Sequence, residues 1–294
     1  MAVIDVILVE DLTPLFDVIY RDDVLWIAHA PRQDLEVLFQ FTKKLPKLLF
    51  DTQIAAAFLN YQFQISYKAL VKDIANVDIA KAHTRFNWLQ RPLPDNAVQY
   101  AIDDVKYLFA IYENLKDNLS KEKKLIWFEE EMKYLLNENL YYINCSDAYK
   151  RVKGITNLDT ESKKNAIYLA ALREHKAQNE NKPRMWIERD KSLIYRAINN
   201  KVDTKEIEYA KKKWPELNTV KISKKTYKPF NNIEIELKKK IQEIIIQKAK
   251  EYNLKSELIA NIKNINSYVR GGKETNFSYG WRNKILKKEL ENAK

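Results

Sequence analysis

An α/β domain followed by an all-α half is the fold class that this 294-residue sequence predicts. Over residues 1–120 short apolar runs alternate with amphipathic helical patterns, and beyond Ser120 strand signals nearly vanish. A change in charge falls at the same boundary. Residues 1–120 hold 12 Lys and Arg against 16 Asp and Glu, a net −4, whereas residues 121–294 hold 39 against 24, a net +15. Acidic residues can hold divalent cations and a basic partner domain can hold a polyanion, so the asymmetry points to nucleic acid. A solvated lysine-rich surface is the plainer alternative, since only 11 of the 51 cations are Arg.

The α/β half reads element by element. Val3–Val9 is strand-like, as is Val24–Ala28, which ends at His29. Pro31 then opens a helix that sets Leu35, Leu38 and Phe39 on one face. Leu48–Phe50 is a short strand ahead of Asp51, Gln53–Leu59 is helical, and one long amphipathic helix spans about Asn96–Leu119. In the second half helices are expected over Lys121–Leu136, Ser162–Gln178, Asp190–Asn199, Lys205–Lys213, Ile233–Tyr252 and Ser256–Ile262. The segment from Trp214 to Asn232, with Pro215 and Pro229, reads as a linker.

Composition excludes several classes. At 46% hydrophobic and 31% charged, the chain is globular rather than disordered. It holds no run of 18 apolar residues, so no transmembrane helix and no membrane partner are expected. The start, MAVIDVILVED, has no basic segment and does not read as a secretory signal. The single Cys145 allows no intrachain disulfide and fits a reducing, cytoplasmic setting. His29, His83, His175 and Cys145 are too few and too scattered for a zinc site.

Two acidic segments carry candidate chemistry. In His29-Ala30-Pro31-Arg32-Gln33-Asp34, a strand feeds a helix with Asp34 in its first turn. A carboxylate there can face a metal from the rim of a sheet, or simply complement the helix dipole. In Tyr100-Ala101-Ile102-Asp103-Asp104, Tyr100 and Asp104 lie four apart on one helix face. A carboxylate holding a cation beside a phenol positioning water suits hydrolysis, and an ordinary amphipathic helix is the alternative. Asp159-Thr160-Glu161 reads as a helix start with an acidic first turn.

These segments occur in order with Phe50-Asp51-Thr52-Gln53-Ile54-Ala55-Ala56-Ala57-Phe58-Leu59, Ser66-Tyr67-Lys68-Ala69-Leu70-Val71 and Arg85-Phe86-Asn87-Trp88-Leu89-Gln90-Arg91-Pro92-Leu93. Leu169–Arg189 and the closing Gly280-Trp281-Arg282 follow. Over nearly its whole length the chain resembles ribonuclease D, a DEDD-type 3′→5′ exonuclease with a tyrosine in its third motif and a C-terminal HRDC (helicase-and-RNase-D C-terminal) domain. The resemblance implies a ribonuclease H-like α/β exonuclease domain followed by all-α HRDC-like helical domains. The expected layout is an exonuclease domain over 1–120, a helical connector over 121–159, an HRDC domain over 160–214, a linker over 215–232 and a second HRDC-like domain over 233–294. It implies a hydrolase that trims the 3′ ends of tRNA precursors and other small structured RNAs with two divalent cations, Mg²⁺ or Mn²⁺. By position, Asp34 and Asp104 correspond to metal ligands and Tyr100 to the residue that orients the attacking water. Trp88 and Arg91 correspond to a stretch near the active-site face and are candidates for RNA contact, with packing as the alternative.

The family's first motif, Asp-x-Glu, is not found ahead of His29: two residues after Asp5 stands Ile7. Val3-Ile4-Asp5 resembles the family's third strand, which implies a domain lacking its first two strands and a separate N-terminal fragment as a possible partner. Without the first-motif aspartate, which bridges the metals, occupancy and rate are expected to collapse, because Mg²⁺ sheds water reluctantly. A non-catalytic RNA-binding protein acting through the basic half is the alternative reading. Smaller departures are a glycine-free Asn60–Ser66 stretch, Ile79-Ala80-Lys81 and Phe86-Asn87-Trp88.

Overall fold

The strongest local signals in the sequence set the order of the elements around one small parallel sheet. The computed structural model describes residues 2–79, 86–222, 228–272 and 275–293, so Ala80, Lys81, His83 and Arg85 lie outside the described residues. The chain divides into two units, one of residues 1–141 with 230–294 and one of residues 142–229.

In the first unit, strands β1 (Leu25–Ala28) and β2 (Leu48–Asp51) pair in parallel, from Leu25 opposite Leu48 to Ala28 opposite Asp51. Among the described residues these are the only strands. Helix α1 (Thr13–Ile19) precedes them. Helix α2 (Arg32–Thr42) crosses between the strands, starts after Pro31 as its sequence predicts, and buries Leu35 and Phe39. Asp51 ends β2 and caps helix α3 (Thr52–Phe58), accepting from the amides of Gln53 and Ile54. Helix α4 (Tyr67–Ala75) follows, capped by Ser66, then α5 (Asp95–Lys106), α6 (Leu108–Lys121) and α7 (Leu125–Leu135).

Four further helices close this unit: α12 (Asn232–Glu251), α13 (Ser256–Ile259), α14 (Ile262–Val269) and α15 (Gly280–Asn292), the numbering following chain order through the second unit. Their apolar faces enter the same core as α3 and α7. Trp281 is 1% exposed, lies 5.2 Å from Phe58 and stacks at 5.2 Å on Trp127. Polar groups fix this seam. The Trp281 amide donates to Glu130 Oε2 at 2.6 Å and its indole to Glu131 Oε1 at 2.8 Å. Arg282 forks onto the Glu131 carboxylate and also donates to the carbonyls of Leu258 and Ile259. Gly280 has φ +63°, and a Cβ there would stand 2.6 Å from Glu130 Oε2, so the closing Gly-Trp-Arg is a packing device.

The second unit is built on helix α8 (Thr160–Asn179), with α9 (Arg184–Ile187), α10 (Asp190–Ile198) and α11 (Thr204–Lys213). Asp159 caps α8 through the amides of Glu161 and Ser162, the helix start its sequence predicts. Arg173 is buried and donates to Asp190 at 2.8 Å and to the Glu188 carbonyl at 3.0 Å. Cys145 is buried, and burial pushes its thiol up.

The structure corrects three expectations. Val3–Val9 is not a strand: residues 6–8 form a turn closed by Asp5, whose carbonyl accepts from Leu8 and Val9 and whose carboxylate accepts from Ile7. No neighbouring strand completes a ladder there, and the local Asp bonds win. The helix expected over Asn96–Leu119 is two helices, broken at Tyr107, whose amide donates to the Tyr67 hydroxyl. Residues 233–294, expected as a separate helical domain, share the core of the first unit, because their apolar faces meet α3 and α7.

Candidate active site

A cleft of about 590 Å³ in the first unit brings together the two carboxylates singled out in the sequence. Asp34 reaches it from the first turn of α2 and Asp104 from the last turns of α5; β1 residues Trp26–Ala28, His29 and Tyr67 form its wall. The strand–helix junction after β1 explains the position of Asp34. A residue in the first turn of a helix that starts at a sheet's carboxyl end stands at the sheet's rim, beside free N–H groups that favour negative charge.

Tyr100 stands one turn before Asp104 on α5 and donates its hydroxyl to that carboxylate. Burial pushes the Tyr100 phenol up, and the neighbouring Asp104 charge adds to this. Burial also pushes the Asp104 carboxyl up, and the Tyr100 hydrogen bond opposes that shift. Tyr67 was given no role by the sequence, yet it lines the cleft. Its hydroxyl accepts from the Tyr107 amide, and burial, with the charges of Asp104 and Asp103, pushes it up to about 12. Its signal was the Ser66 cap, which sets Tyr67 at a helix start facing the sheet.

His29 is committed to the frame. Nε2 donates to the Ile65 carbonyl at 3.0 Å, which leaves Nδ1 to accept from the Thr52 hydroxyl at 2.9 Å. Burial holds its pKa below the usual imidazole value, so it is a neutral strut with both nitrogens occupied.

Trp88 and Arg91 go different ways. Trp88 is 40% exposed and packs against Tyr100 with ring centroids 6.1 Å apart; neither ring lines the cleft. Arg91 turns onto Asp5, with Nε–Oδ2 at 2.6 Å and Nη2–Oδ1 at 2.7 Å, and its Nη1 donates to the carbonyls of Trp88 and Gln90. Its guanidinium is spent on the loop and does not line the cleft.

Asp34 and Asp104 offer hard oxygen donors of the kind Mg²⁺ and Mn²⁺ take. Among the described residues, however, no group of three or more His, Cys, Asp or Glu side chains could hold a metal ion. The residues present can anchor a hydrated cation, and they fall short of the ligand set a pair of cations requires.

Comparison with known proteins agrees with this geometry. A family model described as 3′-5′ exonuclease matches residues 1–120. Ribonuclease D of Jannaschia sp. is 37% identical over 183 residues, covering 62% of this chain and 47% of that protein. Ribonuclease D of Desulfotalea psychrophila is 30% identical over 309 residues, covering 97% of this chain and 82% of that protein. The chain spans about half the length of several curated relatives it matches. Among solved structures, Escherichia coli RNase D shares the fold with a TM-score of 0.77 at 22% identity, covering 98% of this chain and 84% of that one. A protein from Bifidobacterium adolescentis aligns with a TM-score of 0.61 at 19% identity, covering 92% and 78%. With the exonuclease match over the cleft-bearing residues and 30% identity along nearly the whole chain, this protein belongs to the ribonuclease D family.

Proposed function

We propose that this chain acts in 3′→5′ hydrolytic trimming of RNA, at the cleft lined by Asp34 and Asp104, with Tyr100 bonded to Asp104. The observation that carries the reading is the Tyr100 hydroxyl donating to Asp104 in the cleft that Asp34 also lines. In hydrolysis a water oxygen bonds to the terminal phosphorus, and the bond to the upstream 3′ oxygen breaks. A 5′-nucleotide leaves, and the RNA ends in a new 3′ hydroxyl. Tyr100 remains protonated, and its oxygen can accept from that water while its O–H stays directed at the Asp104 carboxylate. Trp88, packed on Tyr100, offers an aromatic face to the terminal base. Members of this exonuclease family generally use divalent cations, and bound Mg²⁺ or Mn²⁺ would neutralise the phosphate. Asp34 and Asp104 are the residues here that would hold such ions.

We assign the carboxylates of the family's first motif to a further strand along the open edge of β1. In support, β1 pairs with β2 alone, and all four of its residues are half-buried. The substrates we propose are tRNA precursors and other small structured RNAs, held by the basic second unit, to which we assign the HRDC role. A cytoplasmic setting fits the lone buried thiol of Cys145. No helix among the described residues is long and apolar enough to cross a membrane.

The test is a 5′-labelled tRNA precursor incubated with the chain and Mn²⁺, with and without a family-like N-terminal segment. A ladder of 3′-shortened products that Asp104→Asn abolishes is expected once the segment is supplied. Internal cuts, or RNA left intact with the segment present, overturn the reading. A second reading, RNA binding without cleavage, is favoured by the lack of a three-ligand cluster among the described residues and by the +15 charge of residues 121–294. It predicts salt-sensitive RNA binding that no added segment converts into trimming.

A further inference from the structure

The second unit exposes an aromatic residue that nothing in the trimming chemistry uses. Pro183 starts the short helix α9, and Trp186 on it is 74% exposed, with its neighbour Met185 52% exposed. The indole makes no ring contact and no side-chain hydrogen bond among the described residues. Tryptophan offers one of the largest burial gains of any side chain, and with Met185 it leaves a small apolar patch in water.

The nearby carboxylates are engaged, and two of the nearby cations are not. Glu188 is occupied by the Ser192 hydroxyl at 2.8 Å and Arg196 at 3.2 Å. Asp190 is occupied by Arg173 and the Lys153 amide. Arg189 and Lys191 are exposed and form no ion pair among the described residues. Arg189 also borders a cleft of about 510 Å³ lined by Arg173, Lys176 and Arg196 and by Glu188 and Glu206, with Lys176 paired to Glu180. Arg173 is 4% exposed and its Nε has no hydrogen-bond partner. Across residues 142–229, 21 Lys and Arg face 11 Asp and Glu, a net +10.

We propose that Trp186, with the exposed Arg189 and Lys191 three and five residues further on, is a stacking platform for one base of single-stranded RNA, with the strand's phosphates taken by those two cations. An open aromatic face beside unpaired cations suits an unstacked base and its phosphates. A duplex shows no free base face, so the platform takes single strands. The choice of RNA over DNA rests on the trimming function proposed above.

The test is binding of a fluorescent 12-nucleotide oligouridylate to the full chain in EDTA, followed by anisotropy. Trp186→Ala is expected to weaken binding by about 10-fold, and Trp186→Phe to retain most of it. An oligomer with abasic sites should bind the unmodified chain about as weakly as Trp186→Ala binds the intact oligomer, with no further loss when the two changes are combined. Arg189→Ala should lower the slope of log affinity against log salt by about 0.7. Equal affinity of the unmodified chain and Trp186→Ala overturns the proposal. So does an abasic penalty of equal size in both proteins, or tighter binding of the matching DNA oligomer. Trimming is assayed in parallel with the family-like N-terminal segment supplied: binding that depends on Trp186 with no trimming even then sinks the catalytic reading alone, and trimming with Trp186-independent binding sinks the platform alone.

Discussion

Tyr100 and Asp104 are joined across one turn of α5, phenol to carboxylate, and the bond opposes the upward push that burial gives Asp104. The phenol therefore helps keep its neighbour ionised, besides any part it takes with water.

Tyr100→Phe separates those roles. Removing the hydroxyl should raise the Asp104 pKa further, because the bond lost is the one that lowers it. The acid limb of the pH–rate profile should move to higher pH, and the maximal rate should fall by about 10²-fold. Carboxyl-carbon NMR of Asp104 checks the titration, and trimming of a labelled RNA checks the rate. An unmoved titration would show that the bond carries no weight.

Asp51 should make folding stability fall as pH rises. Burial pushes its carboxyl from the usual value of 3.8 to about 6, against bonds from the Ala30, Gln53 and Ile54 amides. The folded state thus holds a proton that the unfolded chain gives up near pH 4. The stability from that proton is present below about pH 4 and is lost as pH rises through about 6, a change of roughly 3 kcal/mol. All three amides donate to Oδ1, which an Asn can reproduce. Asp51→Asn should flatten the slope between pH 4 and 6 and leave the chain at least as stable at pH 7, as read by urea denaturation.

Arg282 should be costly to remove. Arg282→Ala leaves the Glu131 carboxylate without its fork and deprives the Leu258 and Ile259 carbonyls of a donor. The expected loss is about 3–5 kcal/mol, because a part-buried charge is stranded. Arg282→Lys keeps the charge without the planar fork and should lose less. Thermal melts of the two variants give the order.

Gln64→Gly should stabilise the chain. Gln64 is exposed and sits at φ +57°, and Asn60 at φ +63°, both left-handed. A side chain is strained there and glycine is not, so a gain of about 0.5–1 kcal/mol is expected after glycine's larger unfolded-state entropy is counted. An unchanged or lower melting temperature would sink the prediction.

Those two residues also show what the sequence could reveal. The glycine-free Asn60–Ser66 stretch looked like a departure from the family, yet the backbone keeps left-handed turns there with Asn and Gln in place of Gly. Signals carried by neighbouring residues read through: Pro31 before α2, Asp159 before α8, and the four-residue spacing of Tyr100 and Asp104. Features decided by a distant partner did not. The break at Tyr107 depends on the hydroxyl of Tyr67, forty residues earlier. The periodicity of α12 is the same whether it joins a separate bundle or the core of the first unit. Val3–Val9 has the composition of a strand, but a strand exists only beside another. Asp34 was legible through its place between motifs, whereas the engagement of Arg91 by Asp5 had no sequence signal.

The seam between Phe58 and Trp281 also has a consequence for biosynthesis. The two rings touch but lie 223 residues apart in the chain. At about 5–20 residues per second, a ribosome delivers the second about 10–45 s after the first. Through that interval the nascent first unit carries an uncovered apolar wall, the kind of surface that chaperones hold. Translation rate, and not only equilibrium stability, therefore governs how much of this protein reaches its native state.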